Sequence, residues 1–219
     1  MLLMRFSSFL VAAILLVLVP GICASPLSKL LPKKMVGGFR YVTYDKANEY
    51  NSVGRLTDVK PSGSQIGQGA YTFPRPTKWS GDSKCVFWFK ESKFIAAPKY
   101  FVEDEKAFFN PAELLKILTA AKKDVEKTIL FSKVYGYDNV PIQMLLPRYY
   151  LAASKLEPER KGGPGDLGMT IKCVPNEEEL PISEDANWES YGIDGWPKGL
   201  RARDGLSPSN SSHHSTYQE

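Results

Sequence analysis

Hydrophobic and polar positions divide the chain into a short series of elements. Phe39-Arg40-Tyr41-Val42-Thr43-Tyr44 alternates and is rich in strand formers, which predicts a first strand. Ala47, Tyr50 and Val53 then recur at helical spacing, with Asp45 placed to cap that helix and Gly54 to end it. Ala70-Tyr71-Thr72-Phe73 predicts a short strand closed by Pro74 and Pro76. Every side chain of Cys85-Val86-Phe87-Trp88-Phe89 is apolar, the mark of a central strand, and Tyr100-Phe101-Val102 predicts another. The clearest helix begins at Asn110-Pro111-Ala112-Glu113, where Asn110 caps, Pro111 fits the first turn and Glu113 completes a capping-box spacing. Leu114, Leu115, Ile117, Leu118 and Ala121 give it an apolar face, and the pattern carries it to about Lys127. Ile142-Gln143-Met144-Leu145-Leu146, ended by Pro147, predicts a late strand. A glycine-rich loop from Pro158 to Gly168 follows, and Met169–Val174 predicts a strand that carries Cys173 back toward Cys85. Strands interleaved with few, local helices predict an α+β domain.

The two ends of the chain read differently. Met1–Ser8 holds one basic residue, Arg5; Phe9–Val19 is unbroken apolar; Pro20-Gly21 stops any helix, and Cys23-Ala24 puts small residues before Ser25. That layout predicts a secretory signal over 1–24, cut after Ala24. Its apolar run of about 11 residues is short of the roughly 20 that span a bilayer, so no membrane anchor is expected. Residues 25–37, which contain the dibasic pair Lys33-Lys34, are expected to form an arm or short pro-segment, and 38–199 a single folded domain. Trp188, Tyr191 and Trp196 suggest that the acidic stretch after Asn176 packs on the body. Residues 200–219 are polar and expected to be disordered, and Asn210-Ser211-Ser212 fits an N-glycosylation acceptor.

Composition narrows the chemistry. Three cysteines look odd for an exported protein, but Cys23 leaves with the signal. Cys85 and Cys173 remain, and in an oxidising compartment they can form one bridge; the alternative is two separate buried thiols. The formal net charge is +4, and loss of Arg5 makes it +3, too mild to point to nucleic acid. Both histidines, His213 and His214, sit in the tail, which removes histidine-dependent triads and histidine metal sites from the body, so no metal is expected. Eleven Tyr, eleven Phe and four Trp allow a well-packed core and an aromatic-lined cleft.

Two segments carry candidate chemistry. Arg40 lies among strand formers, where its guanidinium can bind a phosphate through a fork of donors or simply face solvent on an edge strand. Gly67 and Gly69 precede an aromatic strand, permitting either close approach of a ligand to the backbone or a tight turn. The dinucleotide fingerprint of a Rossmann fold is not met, because the third glycine is missing and a strand follows where a helix should.

Arg40 on a first strand, Gly67-x-Gly69-x-Tyr71-Thr72 on a second and Gln143-Met144-Leu145-Leu146-Pro147 late in the chain together resemble the ADP-ribosyltransferase superfamily, and within it the exported toxin-like members, including small secreted fungal proteins. The resemblance covers Phe39 to Pro147. It implies a split β-sandwich with flanking helices and NAD as the cofactor, lying between two small sheets. Arg40 would hold the phosphates, with Gly67 and Gly69 beside the ligand. Tyr71 or Phe73 would line the nicotinamide pocket, and Thr72 would be the one hydroxyl kept from a Ser-Thr-Ser strand. Gln143 stands where the family has its catalytic glutamate, and Pro141 where a second glutamate serves arginine transfer.

That departure bears on activity. Cleavage of the ribose–nicotinamide bond builds positive charge on the sugar, which a carboxylate stabilises and an amide does not. Loss of one preorganised electrostatic contact costs about 3 to 4 kcal/mol, or roughly 10²- to 10³-fold in rate. Glu103, Asp104 or Glu105 would have to supply the charge instead; alternatively, Gln143 simply satisfies the edge of a sheet. The resemblance therefore implies a secreted, extracellular, monomeric effector or toxin-like protein that binds a protein partner outside the producing cell and is catalytically silent. The alternatives are an active NAD-dependent mono-ADP-ribosyltransferase or NAD glycohydrolase, and a structural secreted protein.

Overall fold

A computed structural model describes residues 32–58, 60, 64–76, 80–136, 141–182 and 184–202. The expected signal, residues 25–31 of the arm, and Asn210 lie outside them. The ten main elements in chain order are β1 (Lys34–Val42), α1 (Tyr44–Val53), β2 (Gly69–Thr72), β3 (Ser83–Lys90), α2 (Glu91–Ala96), β4 (Lys99–Phe101), α3 (Pro111–Ala120), β5 (Ile129–Lys133), β6 (Ile142–Pro147) and β7 (Thr170–Pro175). Short 3₁₀ turns occupy Glu105–Ala107, Arg148–Tyr150 and Trp188–Tyr191. The fold is α+β, with two sheets and flanking helices.

One sheet has the order β1-β3-β7 and is antiparallel throughout; the other has the order β2-β6-β5-β4. The central place expected for Cys85–Phe89 is met by β3. In the second sheet β4 and β5 are parallel, a pairing that requires a crossover, and α3 lies within it. The sheets meet at one bridge, where Phe39 N donates to Phe73 O at 2.8 Å and Phe73 N donates to Phe39 O at 2.9 Å.

Two hydrophobic clusters follow from strand alternation. Phe87, Phe89, Phe131, Met144, Leu146 and Trp188 belong to the larger one. Ile66, Leu114, Leu118, Leu130 and Leu145 belong to a smaller one beneath α3. The acidic stretch does pack on the body: Trp188 is fully buried, its ring centroid lies 5.3 Å from that of Phe131, and its Nε1 donates to Gly37 O at 2.8 Å. Cys85 and Cys173 are bonded to each other and sit directly opposite on β3 and β7.

Several local expectations are corrected. The cap of α1 is Thr43, whose Oγ1 accepts from Lys46 N at 3.4 Å; Asp45 lies inside the first turn. The first strand starts at Lys34, inside the expected arm, and Lys33 is tied down by Glu91 N donating to its carbonyl at 2.9 Å. The packed body also runs past residue 199, since Ala202 is buried and its N donates to Glu189 Oε2 at 3.2 Å. Helix α3 stops at Ala120, well before Lys127. Lys122 turns to a φ of 56°, its N donates to Thr119 O at 3.0 Å, and Lys123 N donates to Leu118 O at 2.8 Å. This is a Schellman ending built on lysine, without the glycine that would have announced it. Two elements carried no clear signal: α2 follows β3 directly with no side-chain cap, and β5 is short and begins at Ile129, just past the expected end of the helix.

A buried carboxylate ties α1 to the chain after β6. Glu49 accepts from Lys46 Nζ at 2.8 Å, Thr57 Oγ1 at 2.8 Å, Ser154 Oγ at 2.9 Å and Leu156 N at 3.2 Å, and also from Lys155 N. Burial alone would push its carboxyl up, but the hydrogen bonds from Lys46, Thr57, Lys155 and Ser154 outweigh it and hold the group down at about 2. A depressed carboxyl leaves the unfolded chain binding more protons, so its stabilisation is present above pH 4.5 and is lost as the pH falls toward 2. The loss across that window is on the order of 3 kcal/mol. Urea unfolding of wild type and Glu49→Gln at neutral and acid pH reads it directly. The variant is expected to be less stable at pH 7 and to show a shallower fall on acidification; parallel curves would show that Glu49 contributes no such linkage.

Candidate functional site

Arg40, Tyr71 and Phe73 lie where β1 and β2 part. Beyond the Phe39–Phe73 bridge the two strands diverge into different sheets. The half-buried Arg40 spans this gap, its Nη1 donating to Tyr71 O at 2.9 Å. Its Nε is buried and has no hydrogen-bond partner among the described residues. On β1, Arg40 stands opposite Cys85 and therefore shares a face with the disulfide. The first-strand arginine and the second-strand aromatic segment are thus in contact.

Thr72 and Gln143 are not brought together. Thr72 pairs with Met144 across the β2–β6 ladder, so Thr72 shares a face with Met144, on the side of the larger cluster. Gln143 is the neighbour of Met144 on the same strand and leaves on the opposite face. Thr72 is fully buried, and its Oγ1 donates to Met144 O at 3.3 Å. Gln143 Nε2 donates to Ser132 Oγ at 3.1 Å, within β5. The same Ser132 Oγ accepts from Gln65 Nε2 at 3.4 Å, while Gln65 Nε2 also donates to Lys133 O at 2.7 Å and its Oε1 accepts from Tyr135 N at 2.9 Å. Gln143 therefore belongs to an internal network of amides and a hydroxyl. Sequence reasoning missed Gln65 and Ser132; two glutamines converging on one serine across three segments leave no local pattern.

The glycine segment is filled from within. Tyr71 OH donates to Gly67 O at 2.7 Å and accepts from Ile66 N at 3.0 Å, so the loop closes on its own tyrosine. Burial pushes the Tyr71 hydroxyl up, to about 12, against a small opposing effect of the Ile66 amide. Gly69 is required by its neighbour: at a φ of 152°, a Cβ would lie 2.1 Å from Leu146 O. Phe73 is buried at the bridge.

Two surface clefts are present elsewhere. One of about 580 Å³ includes Lys34, Trp88, Glu184, Asp185 and Tyr191 in its walls. Another of about 350 Å³ lies beside Tyr100, Glu103, Asp104 and Ile117. Arg40, Thr72 and Gln143 line neither, and Glu103 and Asp104 sit in the smaller cleft, apart from Gln143. Among the described residues, no group of three His, Cys, Asp or Glu side chains is placed to hold a metal ion, and no helix is long and apolar enough to cross a membrane.

Replacing Gly69 with alanine forces a methyl group into the Leu146 carbonyl. The expected loss is roughly 2 to 4 kcal/mol, measured as a lower urea midpoint. An unchanged midpoint would mean that β2 and β6 can separate at no cost.

No curated protein matches the sequence. A family model described as a family of unknown function, DUF5910, matches residues 64–196, a span that includes Gln65 and β2 to β7 and ends at Trp196. That is more than half of the chain, and the protein belongs to the DUF5910 family.

Proposed function

We propose that this protein is a secreted, ADP-ribosyltransferase-like effector that works by binding another protein and does not turn over NAD. The observation that carries the reading is the opposite facing of Thr72 and Gln143 on one sheet, with the Gln143 amide engaged by Ser132. An active centre of this class needs its hydroxyl, its arginine and its acid around one dinucleotide. Here the acid is an amide, and that amide serves an internal network. Tyr71 closes the glycine loop that would otherwise approach a ligand. The two-sheet layout joined at β1 and β2 supports the likeness to the superfamily at the level of architecture.

The active-enzyme alternative draws on one specific observation, the contact from Arg40 Nη1 to Tyr71 O, which joins the first two motifs and leaves Arg40 Nε without a partner among the described residues. Nicotinamide release from NAD separates the readings. The silent reading expects wild type to stay at the blank. It also expects Gln143→Glu to gain nothing, because a restored carboxylate would still face away from Thr72. Release by wild type that disappears in Arg40→Ala would overturn the proposal in favour of an NAD glycohydrolase or transferase.

A further inference from the structure

We propose that helix α1 is a lid over the Cys85–Cys173 disulfide and that its opening gates reduction of the bond. Both cysteines are buried, and they share a core cluster with Ala47 and Tyr50 of α1. A thiol that attacks a disulfide must reach one of its sulfurs, so α1 has to move before reduction can start.

The helix is held in a way that permits such movement. Its buried residues are Ala47, Glu49 and Tyr50, which leaves little apolar surface to anchor ten residues. The rest of its attachment is polar and falls into two tethers. Glu49 and Lys46 bind Thr57 and the segment 154–157. Asn51 binds β7: its Nδ2 donates to Cys173 O at 3.0 Å, and its Oδ1 accepts from Cys173 N at 2.8 Å. The Asn51 carboxamide thus occupies the place that the peptide group of a neighbouring strand would take. Among the described residues this is the hydrogen-bonded link from α1 to the disulfide sheet, and it acts on the residue whose sulfur forms the bridge.

The packing beneath the helix works against it. Among the described residues, Tyr50 OH is buried without a hydrogen-bond partner, and so is Nε of Arg40, which stands opposite Cys85 on the face shared with the bridge. A buried polar group without a partner disfavours the closed state, and lifting α1 returns both groups to water. The closed lid is therefore balanced between two tethers and two unsatisfied groups, which places α1 among the segments that open locally.

Reduction is followed with dithiothreitol under native conditions, with alkylation and mass spectrometry to count free thiols. Two electrons pass from the dithiol, which closes to its cyclic disulfide, while Cys85 and Cys173 become thiols. Asn51→Ala removes two hydrogen bonds from the closed state and is expected to speed reduction on the order of tenfold. Glu49→Gln weakens the other tether and is expected to act in the same direction. Leu118→Ala, in the cluster beneath α3, lowers global stability without touching α1 and is expected to leave the rate near that of wild type. Two results would overturn the proposal. One is a rate within about twofold of wild type in both tether variants. The other is Leu118→Ala accelerating reduction as much as they do, since reduction would then proceed through global unfolding.

Discussion

Strand β6 is buried on both faces, and that constraint organises the second sheet. Successive side chains leave a strand on opposite sides, so Met144 and Leu146 pack in the larger cluster while Leu145 packs in the smaller one beneath α3. A strand with no solvent face offers its polar residues only internal partners. Gln143 finds Ser132 and, through it, Gln65; Thr72, across the ladder, finds the Met144 carbonyl. The polar residues that look catalytic in the linear sequence are in this way absorbed into the architecture.

The first sheet depends on a different kind of constraint. Two of its strands, β3 and β7, are joined covalently at Cys85 and Cys173, and the helix that packs against β7, α1, buries few apolar residues. Polar ties from Glu49 and Asn51 replace the hydrophobic anchoring that α3 obtains from Leu114 and Leu118. A helix held by polar ties responds to pH, to solvent and to loss of a single side chain more than one held by buried apolar area. The depressed Glu49 carboxyl and the gating assigned to Asn51 are two consequences of the same economy of apolar surface.

The proposed likeness to ADP-ribosyltransferases and the membership in DUF5910 differ in kind. The first rests on the order of short motifs, and the second on a match along more than half of the chain. Where Arg40 touches the Tyr71 carbonyl, the motif order has a spatial counterpart. At Gln143 it has none, because spacing along a chain says nothing about which face of a sheet a residue takes once that strand pairs on both sides.

Much of the fold was legible in the sequence. The alternation from Phe39, the apolar run from Cys85 to Phe89, the Asn110-Pro111 helix start and the Ile142–Leu146 strand all express local rules that act within a few residues. The two-cysteine count likewise admitted the bridge. What was not legible has equally physical reasons. Thr43 took the cap from Asp45 because its extended backbone, just after β1, placed its hydroxyl on Lys46 N. The end of α3 came from a lysine in a conformation usually reserved for glycine, which no composition signals. The candidate site lay furthest from view: the opposed faces of Thr72 and Gln143, the Gln65–Ser132 network and the Asn51 link to Cys173 all join segments far apart in the chain. Only the packing of two sheets and three helices decided them.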